Sequence, residues 1–277
     1  MISVYGSTGF IGSHYSDLYN DNVIRINRNS RDPQSKDILY FISTITNYNV
    51  FDNPHLDINT NLNVLVETLE SCRKKYGPDF TFNFISSWFV YGKSTLPAKE
   101  SSSCNPKGFY SITKLAAEQL LISYCETYGI NYRILRLCNV YGVGDKKSSK
   151  KRNALQHLAT EVAQGNDINL YNDGKDIRDF MHVKDVCRAI DHVINCGEIN
   201  DTYNIGSGQP NNFFELMSYV KQKTKSDSKF NSVEPPHFHK VVQAQDMFLD
   251  ITKLKQLGFK QQISIHQGLD EIIEEIN

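Results

Sequence analysis

The sequence has no C-x-x-C pair and no cysteine or histidine cluster at metal-ligand spacing. Its six cysteines (Cys72, Cys104, Cys125, Cys138, Cys187, Cys196) therefore signal neither a zinc site nor a disulfide framework, and no metal is expected. Free thiols in a reducing cytoplasm are the simplest account. Excess charge is also missing: 30 Lys+Arg stand against 31 Asp+Glu, a net charge of -1, which argues against the broad basic face of a nucleic-acid binder. No run reaches about 18 apolar residues, so no transmembrane helix or membrane partner is expected. The start, "MISVYGSTG", is a strand pattern without the charged and apolar regions of a signal peptide. Repeats and low-complexity tracts are absent. The one local charge excess, "KKSSKKR" at 146–152, reads as a solvated loop.

What remains is an ordinary globular composition, 40% hydrophobic and 22% charged over 277 residues, enough for a sizeable core. Short apolar runs ("ISVY", "NVIRI", "DILYFIS", "FTFNFIS", "YRILRL") read as strands. Between the later ones lie helical stretches, "NLNVLVETLESCRKKYG" and "ITKLAAEQLLISYCETYG". Such alternation predicts an α/β fold, a doubly wound parallel sheet whose carboxyl edge carries the ligand site. After about residue 143 the pattern turns irregular. A dinucleotide-binding domain over 1–143 and a smaller C-terminal substrate-binding lobe over 144–277 are expected, with the chain crossing between them.

Gly6, Gly9 and Gly12 form a G-x-x-G-x-x-G array directly after the first strand. Glycine there permits a tight turn and lets backbone N–H groups approach a pyrophosphate at a helix N-terminus, although a turn without ligand needs the same residues. The second strand ends at Asn27, where an acidic residue would read the ribose of NAD, and Arg28 and Arg31 follow. Neutral and guanidinium side chains suit a 2'-phosphate, which leans towards NADP, while exposed loop arginines are the plainer alternative. Tyr110 and Lys114 stand at i and i+4, on one helix face. A lysine beside a phenol favours the phenolate and lowers its pKa, yet alone the spacing equally describes a surface contact. Ser86 and Ser87 end the strand "FTFNFISS", where a hydroxyl can hold the same substrate oxygen as the tyrosine.

Together these features resemble the extended short-chain dehydrogenase/reductase superfamily, and within it the NAD-dependent nucleotide-sugar epimerase/dehydratase family. "SSWFVYG", "LRLCNVYG" (Arg136, Asn139, Tyr141, Gly142), "GKDIRDFMHVKDV", "YNIGSG" and "LDITKLKQLGF" are similar to the family's ordered motifs. The resemblance implies a Rossmann-type fold with Ser87, Tyr110 and Lys114 as catalytic residues. It implies cofactor contacts from Gly6, Thr8, Gly9, Phe10, Ile11, Gly12, Asn27, Arg28, Ser43, Asn61, Tyr110 and Lys114. Ser87, Trp88, Asn139 and Arg178 would meet a nucleotide-diphosphate sugar. The plainer readings are an ion pair of Arg178 with Asp176 or Asp179, a turn braced by Asn139, and a packed His182.

Two departures narrow the choice. Trp88 and Phe89 stand where the family's dehydratases carry an acidic pair, which disfavours 4,6-dehydration. Only nine residues separate Asn27 from Asp37, where the family fits another strand and helix, including an acidic residue that reads adenine. The resemblance then implies an NAD(P)-dependent epimerase acting at C4 of the sugar through a transient keto sugar. An NADPH-dependent reductase of a 4-keto-6-deoxy nucleotide sugar is the alternative, and a cofactor-binding scaffold the non-enzymatic one. It also implies a homodimer formed through "NVLVETLESC" and "KLAAEQLLISYC", whose apolar stripes serve a core equally well.

Overall fold

The computed structural model describes residues 1–145, 153–243 and 246–276, so the basic run at 146–152 lies outside the described residues. The first half runs β1 (Ile2–Tyr5), α1 (Phe10–Leu18), β2 (Val23–Arg25), β3 (Asp37–Tyr40), α2 (His55–Ile58), α3 (Val64–Tyr76), β4 (Thr81–Ser87), α4 (Phe109–Tyr128), β5 (Asn131–Leu137) and β6 (Asn139–Tyr141). The second half continues with α5 (Ala154–Ala163), β7 (Ile168–Tyr171), β8 (Ile177–Arg178), β9 (Phe180–His182), α6 (Val183–Cys196) and β10 (Asp201–Ile205). It ends with β11 (Asn211–Asn212), α7 (Phe213–Thr224), β12 (Phe230–Val233), α8 (His237–Val242), α9 (Thr252–Gln256) and α10 (Ile265–Ile276).

Six strands form one parallel sheet in the order β10-β5-β4-β3-β1-β2. Period-two alternation divides its side chains between two cores. Val4, Leu39, Ile85 and Leu135 pack with residues of α6, whereas Tyr5, Ile38, Tyr40, Phe82, Phe84 and Ile134 pack with α3 and α4. Helices on both faces make this a doubly wound, Rossmann-type α/β fold. The strand β10 was not legible as a member of this sheet, because its partner β5 lies more than 60 residues earlier (Asp201 opposite Arg133) and pairing is non-local.

A third cluster, with α5, α7, α10, β7 and Phe180, forms the core of the smaller lobe. The chain leaves the sheet after β5, returns through α6 and β10, and leaves again. Residues 183–205 therefore belong with the sheet and not with the lobe.

The segment 26–36 joins β2 to β3 as coil, without the strand and helix that the family resemblance implies. Ile26 N–H donates to the Val4 carbonyl (3.0 Å), the Tyr5 hydroxyl to the Arg31 carbonyl (2.8 Å) and Lys75 Nζ to the Pro33 carbonyl (2.6 Å). The coil is thus pinned against β1 and α3, and β2 is left as the sheet edge.

One buried ion pair sits between α4 and the sheet. Arg136 donates to both Glu118 oxygens (2.7 and 3.1 Å), lies over the Tyr91 ring and sits opposite Ser86, whose hydroxyl donates to the same carboxylate. Among the described residues no helix is long and apolar enough to cross a membrane.

Glu118 is 2% exposed, so Arg136→Met strands a buried charge and is expected to lower the unfolding free energy in urea by about 3–5 kcal/mol. Exchanging both partners for apolar residues is expected to restore most of it.

Candidate active site

The turn after β1 is shaped by two glycines. Gly6 has φ +79°, and a Cβ on Gly12 would lie 2.3 Å from the Gly6 carbonyl oxygen, so only glycine lets α1 start against the strand. No side chain caps this helix at Gly9, and its first turn carries no acidic residue. Its N-terminal N–H groups, in the first turn with Phe10 and Ile11 and beside exposed Thr8, are left for an anion. The cradle fits a dinucleotide pyrophosphate.

Beyond β2 the two arginines divide. Arg31 pairs with Glu67 (3.2 Å) and donates to the carbonyls of Arg28 and Ser30, so its guanidinium is engaged within the protein. Asn27 Oδ1 accepts from the Asn29 N–H (3.1 Å), forming its own local turn. Arg28 is exposed, and among the described residues its guanidinium has no partner.

At the carboxyl edge of β4 the strand's alternation separates the two serines. Ser86 faces the Glu118–Arg136 pair behind the site. Ser87 caps the turn at Trp88–Val90 by accepting from the Phe89 N–H (3.3 Å), and it lies near enough to the Tyr110 phenol to bias its ionisation. Tyr110 and Lys114, both almost fully buried, lie on the first turns of α4. Burial pushes the Tyr110 phenol up to about 12; the Ser87 hydroxyl offsets this and the charge of Asp57 adds to it. Burial likewise pushes Lys114 down to about 7, opposed by Glu118. Its Nζ donates to the Ile85 carbonyl (2.6 Å) and lies 4.1 Å from the Phe84 ring centre. The expected lowering of the phenol by the lysine is therefore not the governing effect here: desolvation dominates both groups.

Asn61, in a π-helical turn, uses its whole amide within the protein. Its oxygen accepts from Ser43 Oγ (3.0 Å) and Thr44 N–H (2.9 Å), and its nitrogen donates to Thr44 Oγ1 and Thr113 Oγ1 (both 2.9 Å). Four filled positions make Asn61 a brace between the loop after β3 and the start of α4.

On the substrate side, Trp88 stacks on Phe89 (4.0 Å between centroids), and Phe89 meets Tyr110 edge-on (5.9 Å). The Arg178 guanidinium lies 5.9 Å from the Trp88 ring centre, 6% exposed, held below its ordinary pKa by burial. Its nearest recorded carboxylate is Asp176 at 4.0 Å, and it donates to the Ile177 carbonyl. Asp179 serves elsewhere, accepting from Ser207, Gly208 and Leu249. Asn139 braces the turn at Asp179 through its side-chain nitrogen (3.0 Å). His182 is buried against Tyr141. No sequence signal pointed to His239, which packs at a tilt against Tyr171 and whose pKa is depressed by burial and by Arg178. Nor did one point to Phe238, which reaches Tyr48 and Phe51 (5.1 and 4.6 Å).

A model described as the NAD dependent epimerase/dehydratase family matches residues 2–206. A putative UDP-glucose 4-epimerase of Methanocaldococcus jannaschii is 27% identical over 307 residues, covering 99% of this chain and 97% of that protein. The GDP-6-deoxy-D-mannose reductase of Pseudomonas aeruginosa is 28% identical over 81% of this chain and 75% of its own. The crystal structure of the Thermotoga maritima UDP-glucose 4-epimerase with UDP-glucose has a TM-score of 0.87 at 26% identity, covering 99% of this chain and 97% of that one.

Because Lys114 has a lower pKa folded than unfolded, the unfolded chain binds its proton more tightly. Stability of the cofactor-free protein then rises as pH climbs from about 7 towards 10.5. Lys114→Met is expected to exceed the parent near pH 7 by up to about 4 kcal/mol, a margin that closes towards pH 10.5 when urea midpoints are compared.

Proposed function

The chain belongs to the NAD dependent epimerase/dehydratase family, and from that premise we propose that it is a nucleotide-sugar 4-epimerase acting through Ser87, Tyr110 and Lys114. The observation that carries this reading is the meeting of a serine hydroxyl, a buried phenol and a buried lysine at the carboxyl edge of β4. Likeness to two UDP-glucose 4-epimerases over almost the whole chain supports it.

Tyr110 moves the proton at the sugar C4 hydroxyl, and Ser87 orients that oxygen. A bound nicotinamide would supply the hydride acceptor and donor that passage through a 4-keto sugar requires. Lys114 holds a positive charge beside the dinucleotide, and the cradle from Gly6 to Gly12 receives the pyrophosphate. Arg178 binds the sugar-nucleotide diphosphate through its planar fork, against the Trp88 wall, and Asn139 holds the adjoining turn. The stacked Trp88 and Phe89 put apolar surface where dehydration needs an acid and a base.

Arg28 and Asn27 favour a second reading, an NADPH-dependent reductase of a 4-keto-6-deoxy nucleotide sugar, since an unengaged guanidinium suits a 2'-phosphate. A scaffold without catalysis does not account for the triad. Unpaired cysteines support a reducing compartment such as the cytoplasm.

Chromatography of nucleotide released on denaturing fresh protein is expected to yield near-stoichiometric NAD. Empty protein preferring NADPH would favour the reductase. Tyr110→Phe is expected to lower turnover by about 10²–10⁴-fold while dinucleotide still binds, and unchanged turnover would sink the assignment.

The exposed apolar side chains of Val66 on α3 and Phe109, Ile112 and Leu120 on α4 support a homodimer through these helices. Ile112→Glu with Leu120→Glu is expected to halve the mass seen by sedimentation, and a parent that already sediments as a monomer would remove the dimer.

A further inference from the structure

Asp57 lies on α2, in the stretch "NPHLDI". In the fold it is completely buried. One carboxylate oxygen accepts from the Thr44 hydroxyl and from Asn49 Nδ2 (3.1 Å), and the other has no hydrogen-bond partner among the described residues.

A continuous chain of hydrogen bonds starts at this carboxylate. An ionised carboxylate only accepts, so Thr44 must donate to it and turn a lone pair towards Asn61 Nδ2 (2.9 Å). The second hydrogen of that amide goes to Thr113 Oγ1 (2.9 Å). Thr113, thereby an acceptor from Asn61, points its own hydrogen at the carbonyls of Phe109 (2.9 Å) and Tyr110 (3.0 Å). The Asn61 amide cannot flip without facing its oxygen to Thr113 and its nitrogen to the Thr44 N–H. The charge at one end thus sets the Thr44 hydroxyl, the Thr44 N–H sets the Asn61 amide in the same sense, and the donors run in one direction up to the first turn of α4.

We infer that Asp57 is a positioning residue for Tyr110 and Lys114, directing the turn that carries them through Thr44, Asn61 and Thr113 from an α2 that packs against α4. This rests on the reading that Tyr110 transfers the proton. The phenol meets the Phe89 ring edge-on, and its ionisation is biased by Ser87 from β4 and by the charge of Asp57 from α2; Lys114, four residues on along the same helix, interacts with Glu118. Of these, Ser87 favours the phenolate and Asp57 the protonated phenol. Asp57 therefore keeps Tyr110 loaded with its proton, and Ser87 helps it to leave.

The test uses NAD⁺ or NADP⁺, whichever binds, with affinity followed against pH by calorimetry. A cationic nicotinamide binds more tightly beside a phenolate, so affinity is expected to rise through an inflection that Tyr110→Phe erases. Asp57→Asn keeps the shape and the acceptor for Thr44 but removes the charge, and is expected to move that inflection down by about one pH unit. Asp57→Ser replaces it if the amide variant does not fold. Thr44→Val keeps the charge and cuts the chain; it is expected to leave the inflection in place and weaken binding several-fold. A Tyr110-dependent inflection that the Asp57 variants leave unmoved overturns the electrostatic role, and undiminished binding in Thr44→Val overturns the positioning role. Absence of any inflection dependent on Tyr110 overturns instead the catalytic reading of the site.

Discussion

A lysine ammonium with one carbonyl for company is the constraint around which the site is built. Lys114 is 2% exposed, bonded to the Ile85 carbonyl and set against the Phe84 ring. Removing a cation from water costs several kcal/mol unless partners replace the water. The protein supplies few of them, and Glu118, the nearest carboxylate on the same helix, is already bound by Arg136 and Ser86. Burial accordingly pushes the Lys114 pKa down to about 7. The turn holding Lys114 is correspondingly rigid, tied by Thr113 to Asn61 and by Ser111 to Asn47.

Topology explains why the pieces meet. From β1 the chain steps first to β2 on one side and then to β3 on the other, so strand order reverses at β1. Loops leaving β1 and β3 diverge there and open a crevice. The glycine cradle follows β1, Ser43 and Thr44 follow β3, and Ser87 ends β4. Short parallel strands thereby deliver side chains distant in sequence to one edge.

The legible parts of this molecule were those set by local chemistry. Glycine at Gly6 and Gly12 answers a backbone requirement, and Tyr110 with Lys114 answers helical spacing. Five strands of the sheet announce themselves by apolar runs. What stayed hidden depends on distant partners. The pairing of Arg31 with Glu67, 36 residues later, was one such contact. The four neighbours that fill the Asn61 amide were another. Asp57 carried no signal, because nothing in a sequence shows that a carboxylate will be enclosed. The sixth strand, Asp201–Ile205, is short and mixed in polarity, and only its pairing with β5 makes it a strand of the sheet.

The short coil between β2 and β3 bears on how this protein behaves at high concentration. An exposed sheet edge is a template for another chain, and long, flat, apolar edges invite aggregation. Here the β2 edge is three residues long and ends in Arg25, which pairs with Asp17 at the surface. At the opposite edge the backbone N–H of Asn204 on β10 is occupied by the Glu100 carboxylate, and its side chain clamps the carbonyls of Ala98 and Asp250. One border is too short to be copied and the other is already sealed, so the sheet ends at both sides without offering a neighbouring molecule a strand to extend.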